Sequence, residues 1–118
     1  MNQLEPEVER KLALIWPDDN ERTKARTVLS QYGEKSYQRE PQRVRLAIIK
    51  LSEGSLDELK RMTKEAEKDY RDVLMWAEYP EESKALWACH PNLTEDEVKK
   101  LKRIRKRDWK QYDDWLGK

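Results

Sequence analysis

Residues 44–80, VRLAIIKLSEGSLDELKRMTKEAEKDYRDVLMWAEYP, spell a helix, a stop, a restart and a second stop. Val44, Ala47, Ile48 and Leu51 recur at the spacing that gathers side chains on one face of an α-helix. Gly54 suits the left-handed conformation that ends a helix, and Ser55 with Glu58 three residues later matches the reciprocal capping box that begins one. From there Leu59, Met62, Thr63, Ala66, Tyr70, Val73, Leu74 and Ala77 keep to one side for about six turns, until Pro80 stops the run. The pattern predicts an αα-hairpin over residues 41–79. Leu46 and Ile49 lie off the first stripe, so that helix is expected to be buried on more than one side and to sit at the centre of the fold.

Working outward, Pro6 suits a first helical position, and Val8, Leu12 and Ile15 share a face, which predicts a helix from Pro6 to Trp16 closed by Pro17. Asp18 and Asp19 offer an N-cap, after which Ala25, Val28, Leu29 and Tyr32 recur at helical spacing before Gly33. Glu34 to Glu40 is polar and reads as a loop, and Pro41 opens the next helix. Beyond Pro80, Glu81 to Cys89 reads as a short helix folding back over the apolar end of the hairpin. His90, Pro91 and Asn92 break the chain. Thr94 and Glu97 form a second capping box, and the helix they open runs to Leu116. At 100° per residue Val98, Leu101, Ile104, Trp109, Tyr112, Trp115 and Leu116 gather on one side of it. No segment alternates as a strand does. The expected fold is all-α: a single domain, residues 1–118, forming a compact bundle of five or six helices around the central hairpin, with a long amphipathic basic C-terminal helix at 94–116.

Size and composition bound the function. A chain of 118 residues is long enough for one modest core. The charged fraction is 42% and the mean hydropathy −1.16, yet five Trp and five Tyr at helical spacing supply the burial that disordered segments lack. Twenty-five basic and 24 acidic residues nearly cancel, so electrostatic targeting must be local. Cys89 is the only cysteine, which excludes an intramolecular disulfide and points to a reducing compartment. Glu5, Glu7 and Glu9 do not fit a secretory leader, and no apolar run approaches a membrane span. A cytoplasmic location is expected.

The stretch PQRVRLAIIKLSEGSLDELKRMTKEAEKDYRDVLMWAEYPEE, residues 41–82, resembles a group of short helical bacterial proteins with no established activity. In that group an RVRLA-like helix, a Gly turn and a DYRDVL…AEYP-like helix end recur. The resemblance extends loosely over residues 18–33 and does not include the basic C-terminal helix. It implies a bacterial helical protein and supplies no catalytic or binding residue.

Two surfaces stand out as candidate sites. The end of the hairpin, with Trp76 and Tyr79, is apolar nearly all round. Together with Trp87 these side chains would anchor a protein partner or a second copy of the chain if left uncovered. The leading expectation is therefore a non-catalytic protein-interaction module. The alternative is a nucleic-acid accessory protein using KKLKRIRKRDWK, residues 99–110, which holds eight basic residues and one acid. There Lys99, Lys100, Arg103, Lys106, Arg107 and Lys110 lie opposite the apolar stripe as a cationic ridge able to follow phosphates. With Trp109 and Trp115 on its apolar side, the same helix also fits a membrane interface. Arg105 and Asp108 interrupt that side and would either pair or mark a subunit contact.

Other chemistry is weakly signalled. Glu65, Asp69 and Asp72 align on one helix, but Arg61 with Glu65, Lys68 with Asp72 and Glu67 with Arg71 have the spacing of surface ion pairs. Cys89 and His90 are sequence neighbours, whereas catalytic thiolate and base usually come from separate elements. Gly33, Gly54 and Gly117 all fall at helix ends, so no phosphate-cradling loop is expected. No reaction, metal, cofactor or small-molecule site is expected.

Overall fold

The structure is a computed structural model that describes residues 4–35, 38–88 and 93–118, with the side chains of residues 86–88 not described. The described residues form seven helices and no strands: α1 (Pro6–Ile15), α2 (Asp19–Leu29), α3 (Pro41–Ser52), α4 (Leu56–Lys68), α5 (Tyr70–Glu78), α6 (Pro80–Ala88) and α7 (Glu95–Gly117). The chain falls into two compact units, Met1–Leu74 and Met75–Lys118.

In the first unit the helix starts follow local chemistry. Pro6 and Pro41 occupy first-turn positions, where a missing N–H costs nothing. The Asp18 carboxylate accepts from the backbone N–H of Glu21 at 3.0 Å, and Ser55 Oγ accepts from that of Glu58 at 3.3 Å. The expected capping box at Ser55 is only half made. The Ser55 N–H donates to the Ser52 carbonyl, and the Glu58 carboxylate turns to Arg61 instead. Between α3 and α4 the left-handed turn takes two residues, Glu53 at φ 50° and Gly54 at φ 82°.

Packing centres on α3, whose residues Val44 to Ile49 are all buried and which contacts both α1 and α4. Val8, Leu12 and Trp16, Ala25, Val28 and Leu29, and Leu59, Met62 and Ala66 supply the facing side chains from α1, α2 and α4. Each large one among them contributes about 1.5–3 kcal/mol by leaving water. Arg45, within the buried α3 run, donates from Nε and Nη2 to the Tyr32 carbonyl at 3.0 and 2.7 Å. From Nη1 it donates to Glu5 Oε1 at 3.0 Å. It thereby satisfies a carbonyl just past α2 and the carboxylate of the residue preceding α1. Gly33 is what lets it in: a Cβ there, at φ +100°, would fall 2.7 Å from Arg45 Nη2 and 2.8 Å from the Pro41 Cβ.

The unbroken six-turn helix expected after Ser55 is divided at Asp69, which adopts φ −155°, ψ 102°. Its Oδ1 accepts from the Arg71 N–H at 3.1 Å, so the side chain supplies the backbone partner that a continuing helix would have supplied. The surface charges also pair differently from the i,i+4 partners expected from spacing: Arg61 with Glu58 and Lys68 with Glu65 at i,i+3 within α4, and Arg71 with Asp69 at the break.

The second unit holds the end of α5 with α6 and α7. The α6 and α7 helices pack together, and much of what they bury is polar: Glu82, Ser83 and Asp108 beside Tyr112.

Candidate nucleic-acid interface

The basic helix begins on a complete capping box. The Glu97 N–H donates to Thr94 Oγ1 at 3.2 Å, and the Thr94 N–H donates to Glu97 Oε1 at 3.3 Å. Glu95, Asp96 and Glu97 crowd its first turn, where negative charge suits the helix dipole. With 23 residues it extends for roughly 34 Å.

Two residues that interrupt its apolar side fasten α6 to it. Asp108 is 2% exposed and accepts from the N–H of Glu81 at 3.3 Å and of Glu82 at 2.8 Å. A side chain of α7 thus caps the start of α6, the role that a local Ser or Asp would otherwise play. Arg105 forms a two-pronged pair with Glu82, Nη2 to Oε1 at 2.7 Å and Nε to both oxygens at 3.0 and 3.1 Å. The bonded carboxylate raises the guanidinium pKa further and fixes its plane. Arg105 and Asp108 therefore do not pair with each other, one of the two roles their i,i+3 spacing offered; each bonds to α6 instead.

Aromatic rings line the same helix pair. Tyr79 stacks on Trp109 with centroids 5.9 Å apart and planes 11° apart, Trp109 meets Tyr112 at 6.2 Å, and Tyr112 stacks on Trp115 at 5.8 Å. Tyr112 is buried, but Trp109 remains 49% exposed and Val98 38% exposed. The apolar side of α7 is therefore only partly covered, contrary to a fully docked bundle helix.

The ridge residues Lys99, Lys100, Arg103, Lys106, Arg107 and Lys110 are all exposed, as is Lys102. Among the described residues none of these seven has an ion-pair partner. The reason lies in the spacing. For Lys102, Arg103, Lys106 and Arg107 the positions three and four residues away hold no acid, and Asp108, the one acid within 99–110, faces inward. On the α6 side, Lys100, Arg103 and Arg107 join Lys84 around a shallow cleft of about 650 Å³ over Ile104, where the Glu81 carboxylate sits 3.6 Å from Lys84.

The other candidate residues are not brought together in this way. Trp76 is 38% exposed beside Met75 at 39%. Tyr79 is engaged by Trp109, and the side chain of Trp87 lies outside the described residues, as do Cys89 and His90. The carboxylates of Glu65 on α4 and of Asp69 between α4 and α5 are held by neighbouring bases, and among the described residues no group of three or more His, Cys, Asp or Glu is placed to hold a metal. No described helix is long and apolar enough to cross a membrane. The caps at Asp18, Ser55 and Thr94 were readable from sequence, whereas Asp108, Arg105 and Arg45 act on partners 13 to 40 residues away and left no local signal. Compared with protein-family models, curated proteins and solved structures, the chain matches none.

Proposed function

We propose that the protein binds nucleic acid through its phosphate backbone, with the α7 ridge as the contact surface. The observation that carries this reading is the run of seven exposed cations that have no ion-pair partner among the described residues. Several surface arginines elsewhere are neutralised locally, Arg10 by Glu7, Arg43 by Glu40, Arg61 by Glu58 and Arg71 by Asp69, and nowhere else among the described residues do so many exposed cations follow one another along one helix. Within residues 99–110 of α7 the charged i,i+4 neighbours are instead like charges: Lys99 and Arg103, Lys102 and Lys106, Arg103 and Arg107, Lys106 and Lys110. Each such pair costs an isolated helix a few tenths of a kcal/mol, a strain that a polyanion lying along the ridge would relieve. Binding of this kind is independent of base sequence and weakens steeply with salt.

The test replaces Lys99, Lys100, Arg103, Lys106, Arg107 and Lys110 with Gln and follows a labelled oligonucleotide by fluorescence anisotropy as salt is raised. With about four phosphates engaged, log K against log[salt] should fall with a slope of about −3. The substituted protein should lose most of that slope. Equally poor binding by both proteins at low salt would end the proposal. A second reading, favoured by the exposure of Met75 and Trp76, is docking of a protein or of a second copy there. A light-scattering mass above the monomer that falls on Trp76→Ala would support self-association.

A further inference from the structure

The ridge has an unequal pair of borders, and the border away from the α6 cleft is aromatic. Trp109 follows Lys102 by seven residues and Lys106 by three, which at 100° per residue places its ring beside both cations. It is the most exposed aromatic side chain among the described residues, at 49%. One side is backed by Tyr79, nearly parallel at 11°, so the indole is held in place before any ligand arrives. Past Tyr79 lies a small hollow of about 300 Å³, bounded by Met75, Ser83, Glu82 and Arg105. Its lining is largely apolar, and the Glu82 carboxylate there is already held by Arg105.

A rigid indole at the border of the lysine ridge, next to a largely apolar hollow, matches the chemistry of an unstacked base rather than that of a duplex. In a duplex the bases are stacked and paired, so only phosphates reach a convex helix. In a single strand a base can leave the stack, lie on an aromatic ring and offer its edge to polar groups while its phosphates meet lysines. We infer that the α7 surface prefers single-stranded nucleic acid, with Trp109 as the stacking platform and the Tyr79 hollow receiving the neighbouring base. This rests on the phosphate-binding reading of the ridge.

The experiment compares an oligothymidylate with a duplex of equal length at matched ionic strength, on wild type and on Trp109→Leu, with far-UV circular dichroism to confirm that the variant is folded. The wild type should bind the single strand about tenfold more tightly, the equivalent of ~1.4 kcal/mol, and its tryptophan emission should be quenched on binding. Trp109→Leu should keep its duplex affinity and lose the preference. Wild-type affinities that are equal for the two probes would overturn the inference while leaving phosphate binding intact, and this arm does not depend on the variant folding. A preference that survives Trp109→Leu would remove Trp109 from the role. Failure of both probes to bind at low salt would overturn both readings.

Discussion

Removing the Asp108 carboxylate should destabilise the α6–α7 pair by about 2 kcal/mol. In Asp108→Ala, the N–H groups of Glu81 and Glu82 lose acceptors at 3.3 and 2.8 Å in a site where the carboxylate is 2% exposed. The shorter bond goes to a charged acceptor and contributes ~1.5–3 kcal/mol, the longer and weaker one about 0.5–1. A negative charge at the start of α6 adds about 0.3–1 through the helix dipole. Against these stands the cost of burying a carboxylate, which removal relieves and which offsets about half of the sum. Asp108→Asn is the sharper probe, because its single carbonyl oxygen can serve one N–H while its amide nitrogen faces the other. It should cost about 1 kcal/mol. Urea unfolding followed by tryptophan fluorescence measures both, and with a typical slope of about 1–3 kcal/mol/M the Ala variant should shift its midpoint by roughly 1 M. Asp108 lies nine residues from Lys99, half a revolution round the helix, so phosphate affinity should be unaffected. If both variants unfold within about 0.5 kcal/mol of wild type, like an ordinary surface substitution, the inter-helix cap is not a stabilising contact.

Three further outcomes are expected. Gly33→Ala combines a left-handed backbone at φ +100° with a Cβ 2.7 Å from Arg45 Nη2, and should cost about 2–4 kcal/mol by equilibrium unfolding. Glu9 is held below its ordinary pKa of 4.5, chiefly by the Arg26 guanidinium that donates to both its oxygens at 2.8 Å. A carboxylate lowered in the folded state stabilises above its unfolded pKa, and that contribution disappears as pH falls through the folded value. Stability of wild type should therefore drop below about pH 4.5 more than that of Glu9→Gln, measured by thermal melts across the acid range. Asp69→Ala removes the acceptor for the Arg71 N–H and should raise helicity by circular dichroism as α4 and α5 merge; unchanged ellipticity would mean that packing, not the side chain, sets the break.

What the sequence made legible was much of what acts over one turn. Prolines at first helical positions, Asp18 and Thr94 as caps, and the buried stripe of α3 are all decided by neighbours three or four residues away, and so are visible in a string of letters. The division at Asp69 was missed because the apolar stripe continues through it: Ala66, Val73 and Leu74 are buried on both sides of the break. Only the tendency of Asp to bond its own backbone hinted at an interruption. The cationic ridge was readable as composition, and so was the absence of an acid three or four residues from Lys102, Arg103, Lys106 and Arg107. What was not readable was that Asp108 turns inward and that Arg105 reaches Glu82, 23 residues back along the chain. For the same reason Arg105 and Asp108 looked like flaws in an amphipathic stripe when they are its attachment points. Arg45 is the extreme case, since a basic residue inside an apolar run gives no sign of what it will meet.

Arg45 also bears on how the first unit comes apart. Its guanidinium ties residues 13 and 40 positions away in sequence, so neither the start of α1 nor the end of α2 can fray without orphaning a buried cation. Amide protons in α1 should then exchange with solvent at nearly the rate of those in α3, as one cooperative block. Replacing Arg45 with Met would uncouple them, letting α1 open on its own while α3 and α4 stay protected. Such a change would be nearly invisible to a melting curve and plain in hydrogen exchange.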